Sequence, residues 1–297
     1  MNIDQLNDNY GIQDQVNFKI GNGGFPFIQV RNQSASALIS LYGGQILSFK
    51  PVDQIADMLF LSGKSLYQNG IAIRGGIPVC WPWFGPDPKG LQRPNHGFVR
   101  NQLWSVKTVS TTDSESKICL QFTEKHKNEK TWKKPFRLTL QFIIGKTLAL
   151  KLTTYNPGDQ AFSVTQAFHP YFNVADINRV QVLGLENSYY FDKLDQGREK
   201  TQSGIVTIGE ETDRIYENIN SRLLLNDPLY KRRIEIDSGN CKTGVVWNPW
   251  QKPMKDLDEQ DYRRFVCVET GNIAFDLVQV PPGAEKSLLT TYKILKI

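Results

Sequence analysis

The chain lacks the hallmarks of several protein classes. No apolar run is long enough to cross a bilayer as a helix. The N-terminus, MNIDQLNDNYGIQDQVNF, is polar with scattered acids; it has neither the basic start nor the apolar core of a secretion signal. A cytoplasmic protein without membrane contact is therefore expected. The four cysteines, Cys80, Cys119, Cys241 and Cys267, form no CxxC or other close pair. That spacing argues against a zinc site and suggests buried thiols rather than disulfides. There is no GxSxG elbow, no cysteine set beside a histidine and no P-loop. A GNGG near the N-terminus precedes a strand pattern, not the helix that a dinucleotide fingerprint needs. Helical periodicity is almost missing, with one short candidate at Met254–Arg263, acidic and exposed in character. No fixed-period repeat and no low-complexity linker divide the chain.

Charge of one sign is also scarce. The net charge of +5 is mild for 297 residues, and the basic residues are spread apart from short clusters at Lys125–Lys134 and Lys231–Arg233. A nucleic-acid binder concentrates its cations on one face, so no nucleic-acid partner is expected. An anionic small molecule remains compatible with the charge.

Short strands are abundant. Phe136–Ile144 alternates through Leu138, Leu140 and Phe142. A Gly-Lys-Thr turn leads into Leu148–Tyr155, which alternates through Leu148, Leu150 and Leu152. Period-2 alternation describes a half-buried antiparallel sheet. Ala37–Lys50 reads as two β runs around a Gly-Gly turn or bulge, and Trp104–Ser110 and Lys117–Thr123 flank a TTDSES turn. Val180–Leu185, Arg222–Leu225, Arg233–Asp237, Lys242–Trp247, Arg264–Glu269 and Leu288–Leu295 continue the pattern. The first ~20 residues read as a loose arm or an edge segment. The fold class is all-β, a large antiparallel sandwich or barrel, with residues 1–26 as an N-terminal arm and 27–297 as one domain.

The richest stretch runs from Ile71 to Arg100, IAIRGGIPVCWPWFGPDPKGLQRPNHGFVR. It has five prolines and a Gly-Gly pair, so an ordered loop is expected rather than a regular element. Arg74 and Arg100 bracket it. Its guanidinium and aromatic groups suit a polar ligand with an anionic part; equally, Trp81, Trp83 and Phe84 could simply pack inward. Of the three histidines, His126 sits in a charged turn and should be exposed. His96 (NHGF) and His169 (FHPY) are flanked by apolar residues and need partners if buried. Glu269 ends the apolar run FVCVE in phase with Phe265 and Cys267, so it falls on a buried face unless the strand stops at Val268. A buried carboxyl has its pKa raised toward the range of a general base. Asp213 lies before another alternating stretch and is ambiguous on its own.

The segments RGGIPVCWPWFGP, NHGFVR, FHPYF, ETDRIY and CVETGN occur in that order, and together the sequence resembles the glucose-6-phosphate 1-epimerases, or hexose-6-phosphate mutarotases, of the aldose 1-epimerase superfamily. The resemblance spans roughly Phe27 to Ile297. It implies a galactose-mutarotase-like supersandwich and interconversion of the anomers of a hexose 6-phosphate without cofactor or metal, by a monomer. It implies His169 as general acid on the ring oxygen and Glu269 as general base on the anomeric hydroxyl. It implies Arg74 and Arg100 at the substrate and its phosphate, Asp213 on sugar hydroxyls, and His96 beside the ring. Asn95 stands where related sequences often have glutamine, and its reach to the phosphate is open. Two other functions fit the same residues: an aldose 1-epimerase for unphosphorylated sugars, and a sugar-phosphate-binding module without catalysis.

Overall fold

The structure is a computed structural model that describes residues 2–123 and 132–297; His126 lies outside them. Two large antiparallel sheets dominate. The nine-stranded sheet runs in the order 206–207, 181–183, 222–227, 232–239, 285–296, 147–155, 137–144, 116–123 and 105–111. The hairpin read from sequence lies in it: Arg137–Ile144 pairs with Thr147–Tyr155, Leu140 opposite Leu152 and Phe142 opposite Leu150. Those side chains are fully buried. Burying one such group contributes about 1.5–3 kcal/mol, and a one-residue slip would turn the whole set to water.

The second sheet has eight strands, in the order 198–201, 189–192, 212–217, 243–248, 265–272, 166–168 and 79–80, with Tyr171–Asn173 also paired to 265–272. One face packs on the nine-stranded sheet. Thr270 and Thr290 hydroxyls hydrogen-bond at 3.0 Å across that interface, and the Phe172 and Tyr292 rings meet at 5.7 Å. The other face carries polar and aromatic groups. Its walls are loops, which the long connections of an antiparallel sandwich leave at the strand ends.

One local expectation is met in part and one changes. The first twenty residues contain a helix, Ile3–Tyr10, capped by the Asn2 side chain, and an edge strand, Val16–Ile20, of a four-stranded sheet that continues through 26–31, 35–40 and 45–51. Leu6 and Phe18 are buried there. The Asn7 side chain bonds both backbone groups of Phe18, which ties helix to strand. Met254–Arg263 is not a helix. It is a series of turns ending in a 3-10 turn at Asp261–Arg264. Two of its acids look inward: Asp261 is buried, accepting from the Asp258 backbone, and Asp256 holds Arg74, while Asp258 and Glu259 are exposed.

Candidate active site

The strand Phe265–Asn272 sets the geometry. Alternation sends Val266, Val268 and Thr270 toward the other sheet and Phe265, Cys267 and Glu269 to the opposite face. Val245 lies opposite Glu269, and Trp247 opposite Cys267. One strand further, Ile215 lies opposite Val245 and Asp213 opposite Trp247. On the other side, Phe168 faces Thr270 and Tyr171 faces Cys267. The register is the same before and after the break at Pro170, so His169 falls opposite Glu269. Their side chains meet, His169 Nε2 to Glu269 Oε1, at 3.3 Å. Two residues far apart in sequence thus form a cross-strand pair.

The pair is almost dry, with Glu269 1% and His169 6% exposed. The second atom of each, Glu269 Oε2 and His169 Nδ1, is buried without a protein partner. Burial, reinforced by Asp213, drives the Glu269 pKa well up, against the opposing pull of Arg100. Burial, together with His96, Arg100 and Arg74, drives His169 well down. Burial thus favours a proton on the carboxyl over one on the imidazole. Tyr171 stacks parallel to the His169 ring at 4.9 Å, and Trp247 meets it edge-on at 6.0 Å.

The 71–100 stretch is largely ordered loop, interrupted by the edge strand Val79–Cys80, and it forms one wall. Trp81 and Trp83 are core residues: the indole nitrogens donate to Thr154 and to the Pro94 carbonyl, and Arg93 stacks over Trp83 at 4.1 Å. Phe84 alone of the three aromatics lines the cleft. Gly97 makes the tight step possible. Its φ is +79°, and a Cβ there would sit 1.8 Å from the Trp81 carbonyl oxygen. His96 precedes it at φ +60°, a left-handed conformation that a non-glycine residue keeps only when its surroundings hold it. Its Nδ1 accepts from the Gly85 N–H at 3.3 Å, which leaves the ring proton on Nε2. Burial, with Arg100 and Arg74 near, pushes the His96 pKa down to about 3. His96 is thus a neutral group whose free nitrogen is a donor.

The cleft has a volume of about 470 Å³, within the range of small-molecule sites. It brings together all seven residues singled out in the sequence: Arg74, Asn95, His96, Arg100, His169, Asp213 and Glu269. Two of them have partners that the sequence did not announce. Arg74 is already engaged, donating from Nε to Asp256 at 3.0 Å and from Nη1 to the Tyr171 hydroxyl at 2.7 Å. Asn95 contributes its backbone, whose carbonyl accepts from Arg100 Nη2 at 2.9 Å. Asp213 is largely buried, and burial lifts its pKa to about 6 against the attraction of Lys193.

Lys193, Trp247, Tyr171 and Met254 were not anticipated, although Lys193, Trp247 and Met254 line the cleft. Trp247 carried a signal, because it alternates with Val245 along the KTGVVWN strand. A neighbouring hollow of about 550 Å³ around Trp250, Tyr262 and Lys64 contains no histidine. Among the described residues no group of three or more His, Cys, Asp or Glu is placed to hold a metal ion, and no helix is long and apolar enough to cross a membrane.

A β-sandwich of this size with a histidine and a buried carboxyl in contact on its open face suits proton transfer on a polar ligand. The aldose 1-epimerase family profile matches residues 26–293, and the chain belongs to that family. It is 36% identical over 248 residues, 82% of each chain, to an Escherichia coli protein named "Putative glucose-6-phosphate 1-epimerase". A Cenchrus ciliaris protein of the same name is 33% identical over 266 residues, 85% of this chain and 79% of that one. The solved structure of a "putative mutarotase" from Salmonella typhimurium superposes with a TM-score of 0.90 at 31% identity, covering 97% of this chain and 96% of that one. The fold is thus the galactose-mutarotase-like β-sandwich, and the protein is an epimerase of the isomerase class.

Proposed function

We propose that the protein interconverts the α and β anomers of a hexose 6-phosphate, glucose 6-phosphate foremost, through the open-chain aldehyde. The observation that carries this reading is the dry His169–Glu269 pair, in contact at 3.3 Å in a cleft that Arg74 and Arg100 also line. Mutarotation moves two protons in one site and needs an acid and a base acting together. Each contributes about 10²–10⁴-fold.

Ring opening begins with the shared proton on His169. Glu269 takes the proton of the anomeric hydroxyl while His169 gives its proton to the ring oxygen. The C1–ring-oxygen bond breaks, its electron pair stays on the oxygen, and C1 becomes a carbonyl. His169 is then neutral and Glu269 protonated, the arrangement burial favours at rest. After rotation about C1–C2, the same transfers in reverse close the ring on the other face. Asp213 accepts from sugar hydroxyls, neutral His96 donates near the ring, and the two arginines hold the phosphate by charge-assisted bonds.

One observation favours a second reading. Two of the three Arg74 nitrogens are bound to Asp256 and Tyr171, which suits an aldose 1-epimerase for unphosphorylated sugars. NMR exchange spectroscopy between the two anomeric protons separates the cases. Accelerated exchange of glucose 6-phosphate, competed by inorganic phosphate and lost in Glu269→Gln and His169→Asn, is the expected result. Acceleration of free glucose alone would move the function to the plain aldose epimerase. Binding of the ester without exchange would leave a sugar-phosphate-binding module.

A further inference from the structure

We propose that a free dianion seated between Arg74 and Arg100 switches on turnover of unphosphorylated aldoses in this cleft, so that the substrate's phosphate activates the acid–base pair as well as anchoring the sugar. This rests on the hexose-phosphate reading above and adds an activity to it.

The inference starts from what surrounds His169. Its ring is stacked on Tyr171 and faces Glu269, with Trp247 edge-on at 6.0 Å and His96 edge-on at 5.6 Å. Tyr171 receives a 2.7 Å hydrogen bond from Arg74, and Arg100 is tied to the carbonyl of Asn95, the neighbour of His96. Both guanidinium groups line the same cleft as the imidazole. Asp256 offsets one of the two positive charges through its 3.0 Å ion pair with Arg74. Arg100 makes no ion pair with a described residue, and its Nε is buried without a hydrogen-bond partner. The protein charges at this end of the cleft are therefore net positive.

That field acts unequally on the pair. After the dominant effect of burial, the His169 cation is opposed by both Arg100 and Arg74, whereas Glu269 feels Arg100 alone among the cations. A positive field that falls mainly on the imidazole holds the shared proton on the carboxyl. Ring opening needs the opposite arrangement, with the proton on His169 and the negative charge on Glu269. A dianion at the arginines reverses the local charge from positive to negative. It then favours the imidazolium over the carboxylic acid, because the imidazole is the partner more strongly coupled to that end. The remote group thus spends its binding energy on readying the site rather than on tightness alone. No covalent bond to the dianion is required, so a separate molecule can supply the effect.

The test supplies substrate and dianion as two pieces. D-xylose is glucose without its C6 arm, and phosphite dianion stands for the missing phosphate. Anomeric exchange of xylose is measured with enzyme and rising phosphite, with chloride keeping ionic strength constant. A saturable acceleration of about tenfold or more is expected, roughly the gain when the fraction of His169 carrying the shared proton rises tenfold. The acceleration should vanish in Arg100→Gln, and in wild type phosphite should move the His169 ring nitrogens toward their imidazolium chemical shifts. Phosphite that competes with glucose 6-phosphate yet leaves xylose exchange and the His169 shifts unchanged would overturn the inference and leave the epimerase reading intact. No exchange of glucose 6-phosphate itself would overturn both, and that arm is read separately. The wild-type xylose series stands even if the arginine variant fails to fold.

Discussion

Replacing Glu269 by glutamine separates what its carboxyl does for chemistry from what it costs the fold. The side chain is 1% exposed, and among the described residues its one polar side-chain partner is His169. Burial raises its pKa well above the ordinary 4.5. The sign of the linkage follows. At pH below 4.5 both folded and unfolded chains carry the proton, and the carboxyl adds no pH dependence. Above it the unfolded chain releases the proton while the folded one keeps it, so stability falls as pH rises until the raised value is passed. Each pH step of one across that window removes about 1.4 kcal/mol. Glutamine has nearly the shape of the protonated acid and does not titrate. Glu269→Gln and wild type should therefore unfold alike near pH 4.5, and the variant should gain on wild type progressively as pH rises above that value. Anomer exchange should meanwhile drop by about 10²–10⁴-fold. His169 titrates in the opposite sense, and its coupling to Glu269 across the 3.3 Å contact is part of what the difference measures. Urea unfolding at a series of pH values, with equal slopes required of the two proteins, measures it. A stability difference that stays flat with pH, or shrinks as pH rises, would refute the idea that the fold holds this acid neutral.

Three other perturbations follow from the same geometry. Tyr171→Phe keeps the ring stacked on His169 but removes the acceptor of the 2.7 Å bond from Arg74; KM for glucose 6-phosphate should rise about tenfold, and an unchanged KM would show that this bond does not position Arg74. Gly97→Ala forces a methyl group to within 1.8 Å of the Trp81 carbonyl at φ +79°; urea unfolding should show a loss of about 3 kcal/mol or more, and a loss under about 1 kcal/mol would mean the loop is slack. Asp213 has a pKa of about 6, so wild-type KM should climb as pH falls through that value and the carboxylate gains its proton. Asp213→Asn should show a KM that is raised throughout and has no such limb; persistence of the limb would assign it to another group.

The legible and illegible parts of the site divide by how far the information travels. The phase of Glu269 was readable because alternation is local: Phe265, Cys267 and Glu269 share a face whatever the strand pairs with. The hairpin at 137–155 was readable for the same reason, its partner lying one turn away. The helix at Ile3–Tyr10 was not, because only Leu6 of its residues is buried and much of what fixes it is the Asn7 side chain reaching the backbone of Phe18. The Met254–Arg263 segment misled in the opposite direction. Its acids resemble a solvated helix face, yet Asp256 is spent on Arg74, 182 residues earlier in the chain. That contact also changes what Arg74 can do, and no property of RGGIPVCWPWFGP announces it. The resemblance named residues, and the structure supplies their relations. The 3.3 Å contact of His169 with Glu269 depends on two short strands holding one register across a proline. The neutrality of His96 comes from burial beside Arg100 and Arg74, and a backbone N–H from Gly85 fixes its tautomer in a turn that only Gly97 allows. A motif lists the tools of proton transfer; which of them carries the proton at rest is decided by burial and by the charges that long-range pairing brings beside it.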